Sequence, residues 1–124
     1  MHITIKKNTN CHFPLYPEPR TKSILRCLLD ITPSVFLKEI LLSKGTVNTS
    51  VLSTREIFIE ALRYQAVHIL LLHNHPSGDA TPSMQDIEIT NRIKEASRLM
   101  NIPLLDHIII GDNIFTSLKE KGYL

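Results

Sequence analysis

Several things are scarce in this chain of 124 residues. It has only two cysteines, Cys11 and Cys27, far apart and not in a CxxC pair. That excludes a disulfide framework and a cysteine-based zinc ribbon, and makes a reducing, cytoplasmic setting the expectation. There is no excess of charge: 14 basic and 12 acidic residues leave a net charge of +2. Composition therefore gives no general reason to expect nucleic-acid or membrane binding. No apolar run reaches the roughly 18 residues that a membrane span needs, and residues 1–20 lack the apolar core of a signal peptide. Internal repeats and low-complexity tracts are also absent.

What is there suits one small domain with a single core. Hydrophobic residues make up 43% of the chain, as in soluble globular proteins. Residues 1–20 read as an arm or linker. Ile3 and Ile5 alternate with polar residues like a strand, and "FPLYPEP" holds three prolines that rule out a regular helix or a central strand. The domain proper is expected over residues 21–124. "TKSILRCLLDIT" suggests a short amphipathic helix with Ile24, Leu25, Leu28 and Leu29 on one face. "SVFLKEILL" reads as a strand that carries one acid, Glu39. "SKGTVNTSVLS" reads as a turn and a second strand.

Thr54 is a candidate N-cap for a helix over about residues 55–65, with Ile57, Ala61 and Leu62 facing inward. "AVHILLL" is a short, nearly all-apolar strand, the pattern of burial on both faces of a sheet. A second helix follows, with Ser83 as N-cap, Asp86 three residues on as in a capping box, and Ile89, Ile93, Ala96 and Met100 as its apolar stripe. "LLDHIIIG" and "NIFTSL" are the last strands. Strands alternating with helices indicate an α/β layered domain.

The chemistry concentrates in "HNHPSGDATPSMQD", residues 73–86. Alternate residues of a strand share a face, so His73 and His75 point the same way at the exit of a buried strand. Pro76 and Gly78 turn the chain, and Pro82 and Ser83 start a helix whose first turn carries Asp86. Two histidines and one carboxylate match the three protein ligands of a catalytic zinc, with a fourth position for water. A hydrolase also needs a general base and an oxyanion donor. Ser83 is the candidate donor, and Glu39, an acid within an apolar strand, the candidate base.

Taken singly, each of these residues has a plainer reading. The histidines can be an ordinary exposed pair, Asp86 and Ser83 capping residues, and Glu39 a strand-edge charge. The combination is what those readings leave unexplained. His107, in "LLDHIII", reads as a core or sheet residue rather than a ligand. Asp106 is a candidate to orient a metal-bound histidine.

This motif resembles the JAMM motif of the JAB/MPN metalloproteases, and most closely the bacterial RadC-like branch. The likeness extends through "GTVNTSVLSTREIFIEALRYQAVHILLLHNHPSG" and on through "DIEITNRIKEASRLMNIPLLDHIIIGDNIFTSLKEKGYL". The resemblance implies a three-layer α-β-α domain of cytidine-deaminase-like architecture with a mixed central sheet. It also implies zinc on His73, His75 and Asp86, Ser83 as the motif serine, and a glutamate acting as base.

In the best-studied relatives the reaction is hydrolysis of a peptide or isopeptide bond, so the expected partner is a peptide or protein substrate. The alternative is a RadC-like binding module with a structural or vestigial metal site, linked by name to DNA repair. No membrane partner is expected, and no oligomeric state follows. Glu39 lies six residues before Gly45, whereas the family glutamate lies five before the matching glycine. A β-bulge between them would restore its direction.

Overall fold

The computed structural model describes residues 2–7, 9–14, 24–31, 36–44 and 54–124, with side chains described for Glu39 and for 54–124. Strands β1 (His2–Lys7) and β2 (Thr9–Pro14) pair antiparallel as a separate two-stranded sheet. The expected alternation at Ile3 and Ile5 thus belongs to a strand. The start of the expected linker, up to Pro14, is its partner. The prolines after it lie outside the described residues.

The main sheet has five strands in the order β4-β3-β5-β6-β7. These are β3 (Ile24–Ile31), β4 (Phe36–Lys44), β5 (His68–Asn74), β6 (Leu104–Ile110) and β7 (Phe115–Ser117). The β5–β6 pair is parallel and the others antiparallel, so the sheet is mixed. Among the described residues two helices accompany the sheet, α1 (Thr54–Arg63) and α2 (Met84–Met100). Helix α2 connects the two parallel strands, as parallel pairing requires a long crossover.

One expected helix is a strand. Residues 24–31, "ILRCLLDI", form β3, hydrogen-bonded to β4 on one side and β5 on the other. Six of its eight residues are apolar, broken only by Arg26 and Asp30. An interior strand is apolar on both faces, and such a run also fits the stripe of a helix. Pairing with two neighbours decides between them, and that is invisible in the local pattern. The second strand expected around residues 45–53 lies outside the described residues.

Both helices cover the face of the sheet that carries Ile69 and Leu71. Ile57, Phe58 and Ala61 of α1 and Ile89 and Ile93 of α2 pack there with Ala66 and Ile102. Leu62, expected inside, is 54% exposed. At about 100° per residue it lies roughly 90° round the helix from the centre of the Ile57–Phe58–Ala61 face. On α2 the buried positions are Asp86, Ile89, Thr90, Ile93 and Ser97, while Met100 is 41% exposed. The inner stripe therefore begins and ends on polar residues. Leu70, Leu72 and Ile108 on the opposite face are buried too. The third layer expected to cover them is not among the described residues.

Fully burying residues such as Ile57, Ile69, Leu71 and Ile93 stabilises by about 1.5–3 kcal/mol each. A single helix cap contributes about 1 kcal/mol. Packing therefore fixes where α2 lies, and the cap fixes how its first turn is presented.

The loop after β5 is tied to the far end of β6. His75 N–H donates to Ile110 O at 2.8 Å, extending the strand pairing by one residue. Gly78 N–H closes a turn on His75 O at 3.0 Å, with Pro76 at its second position, and Gly78 has φ +84°. Asp112 N–H then holds Gly78 O at 2.8 Å. At Gly111 the two segments touch so closely that a Cβ would lie 2.4 Å from Gly78 O and 2.9 Å from Ala80 N. Both neighbours are backbone and cannot swing aside. Gly111→Ala is therefore expected to destabilise the protein by about 1–3 kcal/mol through forced overpacking, read as a lower urea midpoint. An unchanged midpoint contradicts this close packing.

Candidate metal centre

Strand β5 delivers His73, the residue just past its end is His75, and the first turn of α2 delivers Asp86. The turn is set by a complete capping box. Asp86 N–H donates to Ser83 Oγ at 3.1 Å, and Ser83 N–H donates to Asp86 Oδ2 at 2.8 Å. The box fixes the carboxylate as well as the helix end. Asp86 is 1% exposed and lies between the two imidazoles. His73 Nδ1 is 2.8 Å from its Oδ1, and His75 Nε2 is 3.0 Å from its Oδ2. The two rings meet edge to face, 4.8 Å between centroids.

Burial opposes ionisation of Asp86, but hydrogen bonds from His73, His75 and Ser83 N–H outweigh it and hold the carboxyl well below the usual range. The bond to Asp86 raises the pKa of His75 above 6.5, against a smaller opposing effect of its partial burial. The other nitrogen of His75, Nδ1, lies 2.9 Å from Asp79 O. Both partners of this ring are acceptors, which favours the doubly protonated ring and accords with its raised pKa. Asp79 O holds the Nδ1 proton, which makes Nε2 the nitrogen available to a ligand, a common outer contact of metal-binding histidines.

A third histidine joins the cluster. His107 is fully buried, its ring lies 6.2 Å from that of His73, and its Nδ1 is 2.7 Å from Thr90 Oγ1. Loss of solvation pushes its imidazole down to about 3, so it is neutral. Among the described residues, ligand atoms of His73, Asp86 and His107 all lie within 4.8 Å of one another. This His/Asp group is a possible metal-binding site. Sequence reasoning set His107 aside as a core residue and missed Thr90. Stepping four residues along α2 from Asp86 reaches Thr90 on the same face, and a lone histidine inside "LLDHIII" was the other signal.

The remaining expected residues lie as follows. Ser83 is exposed and acts as the N-cap; its hydroxyl uses one lone pair for the cap and keeps its proton to donate. Asp106 bonds to no histidine ring among the described residues. It pairs with Leu70, on the other face from His73, and its carboxylate accepts the His107 backbone N–H, Ser117 Oγ and Lys119 N–H. Glu39 is exposed and is not brought to the cluster. It sits opposite Leu28, which sits opposite Leu70, so it shares the sheet face of Leu70 while His73 projects from the other. The bulge considered between Glu39 and Gly45 is present, because the β3–β4 register shifts between Leu25 and Arg26 and leaves Leu42 as the extra residue. It does not turn Glu39 to the histidine face. Ile40 and Ser43 are the β4 positions in line with Leu71 and His73.

A mixed sheet with α2 leading a carboxylate onto an H-x-H strand exit defines a JAB-type α/β domain. Residues 16–123 match the RadC-like JAB domain, and the chain belongs to that family. It is 56% identical over 80 residues to a UPF0758 protein of Halalkalibacterium halodurans, covering 64% of this chain and 34% of that one. It is 59% identical over 81 residues to a UPF0758 protein of Clostridium botulinum strain Alaska E43, covering 65% and 35%. A UPF0758 protein of Staphylococcus aureus strain NCTC 8325 is 54% identical over 96 residues, covering 77% and 44%. The chain thus spans less than half the length of these relatives. No described helix is long and apolar enough to cross a membrane.

The donor set suits zinc, which takes imidazole nitrogen and carboxylate oxygen. A metal held by His75 would displace the Nε2 proton of that ring, whose pKa is raised, so metal and proton would compete. Zinc affinity, measured against a chelator, is expected to climb by up to about tenfold per pH unit below the His75 pKa and to flatten above it. An affinity that does not change between about pH 5.5 and 7.5 contradicts His75 as a ligand.

Proposed function

We propose that this domain is a zinc-dependent hydrolase of the JAMM type, acting on a peptide or isopeptide bond in a peptide or protein substrate. The observation that carries the reading is the sharing of one buried carboxylate, Asp86, between His73 and His75 at the mouth of the β5–α2 loop. His73, His75 and Asp86 would hold the ion. Zinc at such a site supplies Lewis acidity and can lower the pKa of a water to about 7.

The chain's own residues supply the rest. Asp79 O keeps the His75 ring oriented through Nδ1. The Ser83 hydroxyl stands at the helix entrance with a proton to give to an oxygen that gains negative charge. The register of β4 speaks against Glu39 as base. A general base contributes about 10²–10⁴-fold, so Glu39→Gln is expected to keep the parent rate. A loss of that size would restore Glu39 to the mechanism.

A second reading keeps the metal and drops the reaction: a RadC-like binding module with a structural or vestigial metal site, linked to DNA repair. The place of Glu39 favours it, since no base is otherwise assigned. Net charge of +2 gives duplex DNA little general attraction. The two readings separate on assay. Metal analysis of protein purified without added zinc is expected to show about one bound ion per chain for the parent and background for the double variant His73→Ala/Asp86→Ala. Equal metal in both removes the site. Bound metal with no cleavage of any ubiquitin-like or peptide fusion offered leaves the binding module as the better reading.

A further inference from the structure

His107 is more than a packed core residue, because its protons can be placed. The Thr90 hydroxyl has one proton and donates it to the backbone carbonyl of Asp86 at 2.7 Å. The contact between Thr90 Oγ1 and His107 Nδ1 must then be donated by the ring, so Nδ1 carries the proton of the neutral imidazole. Nε2 is left with an unshared lone pair. It is buried and has no hydrogen-bond partner among the described residues. A histidine kept only for packing would leave that buried atom uncompensated. An imidazole held at one nitrogen by a neighbour, with the other nitrogen bare, is the form that binds metals.

Position agrees with protonation. His107 lies in line with Leu71 across the β5–β6 pair, and Ile109 with His73, so His107 and His73 project from the same face. Thr90 is one helical turn from Asp86 and bonded to its carbonyl, so the carboxylate and the His107 ring are positioned by the same turn of α2. The ligand atoms of His73, Asp86 and His107 form a group within 4.8 Å, wholly buried.

We propose that His107 is a further donor to the metal, through Nε2, on the buried side of Asp86. The proposal rests on reading the cluster as a metal site. It makes three imidazoles and one carboxylate available to the ion. With all four bound, a water would be the fifth ligand, a number that zinc sites do reach. Thr90 is then a positioning residue, acting through His107.

The test uses the full chain with nitrogen-15 in its histidines, loaded with cadmium-113 in place of zinc. The expected result is splitting of the His107 ring Nε2 signal by the metal, alongside the signals of His73 and His75. His107→Gln assigns the resonance and is expected to lower zinc affinity at least about tenfold. Thr90→Val is expected to lower it by about 10–100-fold, as for other residues that orient a ligand.

An unsplit His107 signal in a loaded sample overturns the proposal, including the case where His107 only accepts a proton from His73. The splitting is read on the parent protein, so the outcome stands even if a variant fails to fold. Loss of metal in Asp86→Ala, with His107 unsplit, would overturn this inference and leave the proposed function standing. A parent protein that binds no metal would overturn both.

Discussion

The Asp86 carboxylate is the interaction on which the rest of the site depends. Its two oxygens are divided between His73 and His75, and Oδ2 also accepts Ser83 N–H. A carboxylate this buried would be costly without partners, since an unpaired ion in the interior protonates or destabilises the fold. Here the capping box, the strand exit and the packing of α2 all converge on it. The same residue begins helix α2, joins that helix to β5 and defines where a cation would sit. Its backbone carbonyl, through Thr90, extends the arrangement to His107 on β6. Three elements are thus held together by polar contacts at one end of an otherwise apolar layer.

Much of this was legible in the sequence because it is local. The separation of two between His73 and His75, the turn at Pro76–Gly78 and the three-residue step from Ser83 to Asp86 are all short-range rules, and each one holds in the structure. The buried strand at Ile69–His73 was legible for the same reason, as an apolar run of strand length.

What could not be read depended on pairing between distant segments. Residues 24–31 have a pattern that suits a helix or an interior strand, and only the neighbours β4 and β5 decide. The direction of Glu39 depends on the β4 register, and the bulge at Leu42 alone does not reveal it. His107 and Thr90 are 17 residues apart and meet through the β5–α2–β6 crossover. Histidine in an apolar strand is ambiguous until its partner across the layer is known. The inner face of α2 shows the same limit: hydrophobic periodicity finds Ala96, which packs against the core, but also picks the exposed Met100 and passes over the buried Thr90 and Ser97.

The central claim is that the Asp86 carboxylate marks a metal site rather than a structural ion pair between an acid and two histidines. Anomalous scattering at the zinc edge from crystals grown with zinc tests it most directly. The account predicts one strong peak within about 2.0–2.2 Å of an Asp86 oxygen and of a His73 nitrogen. An Asp86 carboxylate still bonded to both histidines in the presence of zinc, with no peak beside it, would contradict the account.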